Sequence, residues 1–255
     1  MSYSSRSYVH RYASSNRFPT GLKWLLITNV SVFVITFFLP TQELREFMRN
    51  FWLVPSQVVT TGAIWQMFTY MFIHSSSDFF HILWNMLALW MFGAELERLW
   101  GTRRFLYYYF ACGLGAAVCV VLSAYAFSDP NIPTIGSSGA VYGILLAYAL
   151  LFPDRVMLFG FLIPIKVKYF VMIIGAITFM QSYMVTVGGA HSGVAVVAHL
   201  GGLLTGLVLL RGRQMRLGVA GPVRSALKEW RLRRAKKKFA VYLKRNGSDG
   251  NRWVQ

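Results

Sequence analysis

The sequence predicts an all-α polytopic membrane protein that folds as a compact bundle of six transmembrane helices. The first observation is the composition: 55% of the 255 residues are hydrophobic, 14% are charged, and the mean hydropathy is +0.46. Soluble domains of this length carry more charge. The second is that the apolar residues form six stretches: Leu22 to Leu39, Phe79 to Met91, Phe105 to Phe127, Ala140 to Phe152, Tyr169 to Val187 and Val194 to Leu210.

Several of these stretches are shorter than the ~20 residues that span a bilayer. Short spans are tolerated where the membrane thins or where longer helices surround them. The prediction therefore stays at six spans, with helix ends uncertain by a few residues.

A third observation, the placement of lysine and arginine, predicts the orientation. Basic residues cluster before the first stretch and after the second, fourth and sixth, whereas the alternate connections carry few. Positively charged segments stay on the cytoplasmic side, so both termini are predicted to be cytoplasmic. The net charge of +17 mostly reflects this topology, because the segment after the sixth stretch alone holds fourteen basic residues.

The chain is thus divided into a basic cytoplasmic arm (1–21), a six-helix membrane domain (22–210) and a basic cytoplasmic tail (211–255). Within the domain, residues 40–78 form the longest external connection, and their aromatic residues predict a segment lying partly in the outer membrane interface. The arm is rich in Ser, Tyr and Arg and free of acids. A transit peptide is the alternative interpretation of that arm.

The tail has the pattern of a basic amphipathic helix, since Val223, Leu227 and Trp230 recur at near-helical spacing among cations. This pattern favours contact with anionic lipid headgroups. A protein partner is the second interpretation. Nucleic acid is the least favoured partner, because no base-reading motif accompanies the charge.

Cys112 and Cys119 lie seven residues apart in the third stretch. Such residues are ~10 Å apart along a helix axis, which is beyond the reach of a disulfide. Both are predicted to be buried thiols, and they do not indicate a redox compartment.

Four polar residues are predicted to lie at one depth near the outer membrane face. His81 and Asn85 share a face of the second helix, Ser138 begins the fourth, and His199 lies about five residues, or ~8 Å, into the sixth. Each alone has an ordinary explanation, such as a helix cap for the serine or a helix-packing contact for a histidine. Together they indicate a functional site, because polar groups within a membrane are costly.

The chemistry that these residues support is acyl transfer. Ser138 would be the nucleophile and His199 the general base that activates it. The backbone N–H of Ser138, the Asn85 amide and the His81 ring would stabilise the oxyanion. No aspartate is predicted at this depth, so the pair would act as a dyad, with Tyr142 as the candidate ring to stack on His199.

Glycines predict that the fourth and sixth helices pack closely. Gly139 and Gly143 on one helix, and Gly202 and Gly206 on the other, are pairs of small residues spaced four apart. Such pairs let two helix backbones approach each other. The contact would bring His199 to Ser138.

Between Trp65 and Leu210 the chain resembles the rhomboid family of intramembrane serine proteases. The motifs are HILWN in the second helix, Gly136-Ser137-Ser138-Gly139 at the start of the fourth, and AHLGG in the sixth. The resemblance implies that Ser138, rather than Ser137, is the nucleophile. It implies His199 as the base and His81 and Asn85 as oxyanion partners, with no metal or cofactor.

The resemblance further implies cleavage of single-span membrane proteins near the outer face. The fifth helix and the 188–193 loop would form the substrate gate and cap, and His191 in that loop receives no role. One departure is Gln66, which follows Trp65 where many relatives carry arginine. That difference leaves the function of the family's arginine open in this chain.

Two alternatives to a protease remain at this stage. A non-catalytic rhomboid-like protein would bind membrane clients without cleaving them. A small transporter or channel would use the polar cluster for binding, but it predicts broken helices and internal repeats, which the sequence does not have. A prokaryotic plasma membrane is the favoured location, with an organelle membrane as the alternative.

Overall fold

The computed structural model describes residues 18–39, 41–159, 163–188 and 193–218. The chain divides into two units, 1–208 and 209–255, and the helical bundle belongs to the first. Most of the predicted basic arm and tail lie outside the described residues. So does His191, with the middle of the predicted cap loop.

The described residues are mostly helical, and each predicted apolar stretch lies in a helix to within one residue at its end. In chain order the elements are α1 Thr20–Phe38, α2 Gln42–Arg49, α3 Pro55–Thr60, α4 Gln66–Thr69, a 3₁₀ turn Tyr70–Phe72, α5 Phe79–Trp100, α6 Thr102–Phe127, α7 Ser138–Leu151, β1 Val156–Phe159, β2 Ile163–Lys166, α8 Val167–Gly188 and α9 Gly193–Gly218.

Over the described residues, α1, α5 and α6 are long and apolar enough to cross a membrane. Among the residues whose side chains the structure describes, the other long helices contain shorter apolar stretches, at Ser138–Leu151, Val167–Ile177 and Val196–Gly212. A membrane-embedded helical fold is therefore established by three helices, and the count of six spans stays a prediction.

Two helices end later than the apolar stretches predicted. Helix α5 continues past Met91 through charged residues to Trp100, where Gly101 at φ +79° ends it. Only glycine adopts that backbone region without strain. Helix α9 continues past Leu210 to Gly218. Hydropathy marks where lipid contact ends, whereas a helix continues as long as its backbone is paired.

The all-α prediction is wrong for the connection between α7 and α8, which contains an antiparallel β-hairpin. Val156 pairs with Lys166, and Leu158 pairs with Pro164. The strands are only four residues each, and so short an apolar run gives no reliable periodicity. At the base of the hairpin, Asp154 forms ion pairs with Lys166 at 3.3 Å and Lys168 at 2.9 Å.

Within the predicted external segment, residues 41–78 are linked by the side chain of Gln66, which is 1% exposed. Its side chain accepts a hydrogen bond from the Val54 backbone at 3.0 Å and donates one to Gln57 Oε1 at 2.7 Å. These bonds join α3 and α4 across the segment. The neutral amide of Gln66 thus serves as a structural link in this segment.

Two glutamates near the end of α5 accept hydrogen bonds from neighbouring elements. The Glu97 carboxyl group accepts hydrogen bonds from the Gly21 and Leu22 N–H groups at 2.8 and 2.7 Å, which caps the start of α1. Glu95 accepts one from the Tyr148 hydroxyl at 2.6 Å and pairs with Arg155 at 2.8 Å. The basic residues near the start of α1, the end of α5 and the hairpin therefore lie at one end of the bundle, and the membrane side that this end faces stays a prediction.

Helix α6 lies at the centre of the bundle. It buries a stripe at helical spacing, which includes Phe105, Tyr109, Cys112, Ala116 and Val120. Residues on its far end, such as Phe127 at 87% exposure, present apolar surface outward, as expected for a helix in contact with lipid. Cys112 and Cys119 are free thiols; Cys112 is buried, as predicted, whereas Cys119 is only partly buried.

Candidate active site

A tight turn precedes Ser138, which is the first residue of α7. Gly136 has φ +113°, and its N–H donates to the Tyr70 carbonyl at 2.9 Å. Two residues earlier, Thr134 exchanges backbone hydrogen bonds with Leu53 at 2.8 and 3.0 Å. The external segment therefore holds the turn on which the predicted nucleophile depends.

The structure brings Ser138 and His199 together from two helices. His199 Nε2 lies 2.8 Å from Ser138 Oγ, which is a short hydrogen bond. The Tyr142 ring, one turn along α7, stacks on the His199 ring with centroids 4.3 Å apart and planes 6° apart. Stacking restricts the imidazole to an orientation in which its Nε2 faces the serine.

Close backbone contact between α7 and α9 makes this distance possible. A Cβ on Gly202 would overlap the Gly139 carbonyl, and one on Gly206 would lie 3.3 Å from the Gly143 Cα. A Cβ on Gly139 would lie 3.1 Å from the Ala198 carbonyl oxygen. The four glycines thus remove the side chains that would separate the helices.

The other two predicted site residues lie on α5 beside the same turn. The His81 ring rests against Gly136, since a Cβ at that glycine would be 2.8 Å from His81 Nε2. Asn85 is buried, and its Nδ2 donates to the His81 carbonyl at 2.8 Å. An amide NH₂ group has two donors, so the second N–H of Asn85 is left over from this bond.

A cavity of about 750 Å³ connects all of these groups. Its polar end holds Ser138, His199, His81 and Asn85, and its walls are mostly apolar side chains of α5, α7, α8 and β1, including Trp84, Met91, Leu145, Leu158, Phe170 and Ile174. A mostly apolar cavity with a few convergent polar groups is the usual form of a ligand or active site.

Comparison with known proteins agrees with these motifs. Residues 61–213 match the Rhomboid domain, which is more than half of the chain. The chain belongs to the rhomboid family. It is 33% identical to the Bacillus subtilis protein Rhomboid protease GluP over 154 residues, which are 59% of this chain and 26% of that protein.

Two further relatives cover more of the chain. Rhomboid protease AarA of Providencia stuartii is 27% identical over 215 residues, which are 77% of this chain and 74% of AarA. RHOMBOID-like protein 12, mitochondrial, of Arabidopsis thaliana is 28% identical over 191 residues, 70% of this chain and 54% of that protein. The match thus covers about a quarter of the length of GluP and about half of the length of the Arabidopsis protein.

The rhomboid domain contains one buried histidine that the sequence did not single out. His74 is 3% exposed, its Nε2 lies 3.4 Å from Ser137 Oγ, and its ring meets the His81 ring edge-on at 5.2 Å. The available signal was its position at the end of the apolar run YMFIH, seven residues before His81. Sequence alone gave no reason to expect a loop residue to be buried.

His199 has no carboxylate partner in the part of the rhomboid chain that the structure describes, since the ion pairs there involve Glu95 and Asp154. The described residues also include no group of three or more His, Cys, Asp or Glu side chains that could hold a metal ion. The polar groups that line the cavity include the Ser138 hydroxyl, the His81 and His199 imidazoles, the Asn85 amide and the Asp78 carboxyl group.

Proposed function

We propose that this rhomboid protein is an intramembrane serine endopeptidase that uses Ser138 and His199 as a dyad. The observation that carries the proposal is the 2.8 Å contact between His199 Nε2 and Ser138 Oγ beside an apolar cavity. A histidine at hydrogen-bonding distance from a serine is the arrangement that turns a weakly reactive hydroxyl into a nucleophile.

In the first half of the reaction, His199 Nε2 accepts the Ser138 hydroxyl proton while Oγ attacks the carbonyl carbon of the scissile peptide bond. The tetrahedral intermediate places a negative charge on the former carbonyl oxygen. His199 then returns the proton to the leaving nitrogen, the C–N bond breaks, and an ester to Ser138 remains. Tyr142 keeps the imidazole in line for both proton transfers.

Three donors are proposed to stabilise the oxyanion. The Ser138 N–H lies at the start of α7, where backbone N–H groups lack intrahelical partners. The second N–H of Asn85 and a ring N–H of His81 complete the set. Such donors stabilise the transition state because they are already in place before charge develops.

In the second half, water attacks the ester, and His199 again removes and returns a proton, which releases the acid and restores Ser138. The cycle consumes one water and needs no metal or cofactor.

The substrate is proposed to be a single-span membrane protein, bound with its scissile segment in the cavity between α5 and α8. Apolar walls would hold a membrane segment, whereas the polar end would receive its unwound backbone. Two of the relatives bear the name protease. Six spans with cytoplasmic termini remain part of the proposal. A prokaryotic plasma membrane is also only proposed, because the relatives include both bacterial and mitochondrial proteins.

The test is cleavage of a single-span reporter by purified protein in liposomes. We expect cleavage by the wild type and a loss of about 10³-fold or more in Ser138→Ala and His199→Ala. Ser123→Ala is the matched control, since Ser123 Oγ bonds the Val120 carbonyl on α6, away from the cavity. Cleavage that persists in Ser138→Ala would refute the nucleophile.

A folded wild type that binds reporters, cleaves none of a broad panel and does not react at Ser138 with serine-directed inhibitors would instead support the non-catalytic client-binding alternative.

A further inference from the structure

The residue before the nucleophile does not do what its position predicts. Ser137 is the N-cap of α7, yet its side chain makes no capping hydrogen bond. An N-cap serine normally accepts a hydrogen bond from the second or third N–H of its helix, and losing that bond costs about 1 kcal/mol. The hydroxyl is instead fully buried and lies 3.4 Å from His74 Nε2.

We propose that His74 is a positioning residue that holds the Ser137 hydroxyl away from the start of α7, so that the helix N–H groups remain free for the oxyanion. The inference rests on the proposed proteolytic function. A capping hydroxyl and an oxyanion would compete for the same end of the helix, because both are acceptors of its unpaired N–H groups.

His74 is well placed for this role, because the external segment holds it in a defined position. Its ring is 3% exposed and packs edge-on against His81, which itself rests against Gly136. One side chain therefore contacts both the residue before the nucleophile and a proposed oxyanion donor. Burial, with a smaller contribution from His81, lowers the pKa of His74 to about 3, so the ring is neutral at pH 7.

A neutral imidazole has one donor and one acceptor nitrogen. It can therefore bond a hydroxyl without placing a charge beside the cavity. His74 does not touch the reacting atoms of the proposed reaction, and it acts only through Ser137 and His81.

The experiment is a double-mutant cycle in liposomes with the single-span reporter. His74→Leu removes the 3.4 Å contact with the Ser137 hydroxyl and leaves that of Tyr109. It is expected to lower kcat about 30-fold with KM within about two-fold, a fraction of the loss seen when a whole oxyanion donor is removed. Ser137→Ala has no hydroxyl that could cap the helix, so its kcat should stay within about three-fold of the wild-type kcat. The double variant should regain activity close to that of Ser137→Ala.

This rescue separates positioning from packing. If His74 only fills space, the loss in His74→Leu persists when Ser137 becomes alanine, and the inference is overturned. Wild-type kcat in His74→Leu also overturns it. His74→Gln, whose amide can still bond the hydroxyl, should retain more activity than the leucine variant.

Gln66→Leu is the matched control, because Gln66 is equally buried in the same external segment but bonds residues away from the turn. It should lower the thermal unfolding midpoint, and its activity loss should not depend on Ser137. If His74→Leu does not fold, His74→Phe keeps a ring against His81 and carries the same cycle.

The proposed protease activity is judged first, by comparing wild type with Ser138→Ala. A folded wild type that does not cleave overturns both proposals. Cleavage that depends on Ser138, without rescue of His74→Leu by Ser137→Ala, overturns this inference alone.

Discussion

The two ends of the bundle use polar groups in opposite ways. At the charged end, both oxygens of Glu97 accept backbone hydrogen bonds, and Glu95 binds Tyr148 and Arg155. At the cavity end, the polar groups are hydroxyl, imidazole and amide groups with the Asp78 carboxyl group beside them, and the N-cap Ser137 leaves the start of α7 without a side-chain cap. Saturated bonding stabilises a fold, whereas donors left free beside a cavity are available for chemistry.

The difference predicts that variants at the two ends will separate stability from activity. Charged-end variants should lower the free energy of unfolding and leave the cleavage rate per folded molecule unchanged. Cavity-end variants should lower the cleavage rate and change the free energy of unfolding less. Proteins commonly sacrifice local stability at functional sites.

Glu97→Ala should lower the free energy of unfolding by about 3 kcal/mol, because the Gly21 and Leu22 N–H groups and the Thr102 hydroxyl lose a buried acceptor. Reversible unfolding in mixed micelles measures this change. Glu43→Ala, at an exposed carboxyl group on α2, should change it by less than about 0.5 kcal/mol. A Glu97 variant that unfolds like wild type but does not cleave would contradict the assignment of this end to stability.

Gly202→Ala is expected to affect both properties, because its Cβ would overlap the Gly139 carbonyl and separate α7 from α9. Overpacking of this kind costs about 2 kcal/mol, and a longer distance from His199 to Ser138 should lower cleavage at least about ten-fold. Gly212→Ala on the same helix meets nothing within 4 Å and serves as the control. Equal effects of the two substitutions would contradict the packing argument.

Tyr142→Leu should lower kcat about five-fold relative to Tyr142→Phe, because only the phenylalanine keeps a ring stacked on His199. Comparing these two variants isolates the ring from the hydroxyl. The unfolding midpoints of both should stay close to that of wild type. Identical rates in the two would mean that stacking does not orient the imidazole.

Asp154→Asn should have the smallest effect, and one that depends on pH. Lys168 and Lys166 hold the pKa of the Asp154 carboxyl group below its ordinary value of 3.8. The folded state therefore binds the proton less readily, so the ion pairs stabilise it above that pH, and the benefit is lost as pH falls through the lowered pKa. The difference in unfolding midpoint between wild type and variant should shrink on acidification and in high salt. A difference that grows on acidification would contradict a stabilising role for the ionised Asp154.

Helix geometry made much of the site predictable from sequence. A rise of 1.5 Å per residue fixes how deep Asn85 and His199 lie once a helix start is known, and four-residue spacing fixes which residues share a face. The small-residue pairs likewise indicated which helices pack closely. These features are local, so tertiary structure had little opportunity to change them.

Features that depend on distant contacts were missed. The hairpin after α7 needs two four-residue strands to find each other, and neither has a distinctive pattern alone. His74 is buried only because the external segment folds against the turn at Gly136. Its contact with Ser137 spans 63 residues of chain, and no spacing rule reaches that far.

The most direct test of the account is covalent labelling of the wild-type protein in liposomes with a fluorophosphonate probe, followed by mapping of the adduct by mass spectrometry. The account predicts one adduct, on Ser138, that is lost in His199→Ala and retained in Ser123→Ala. A folded wild type with no adduct on Ser138, or an adduct that forms equally well without His199, would contradict the claim that this pair is a working dyad.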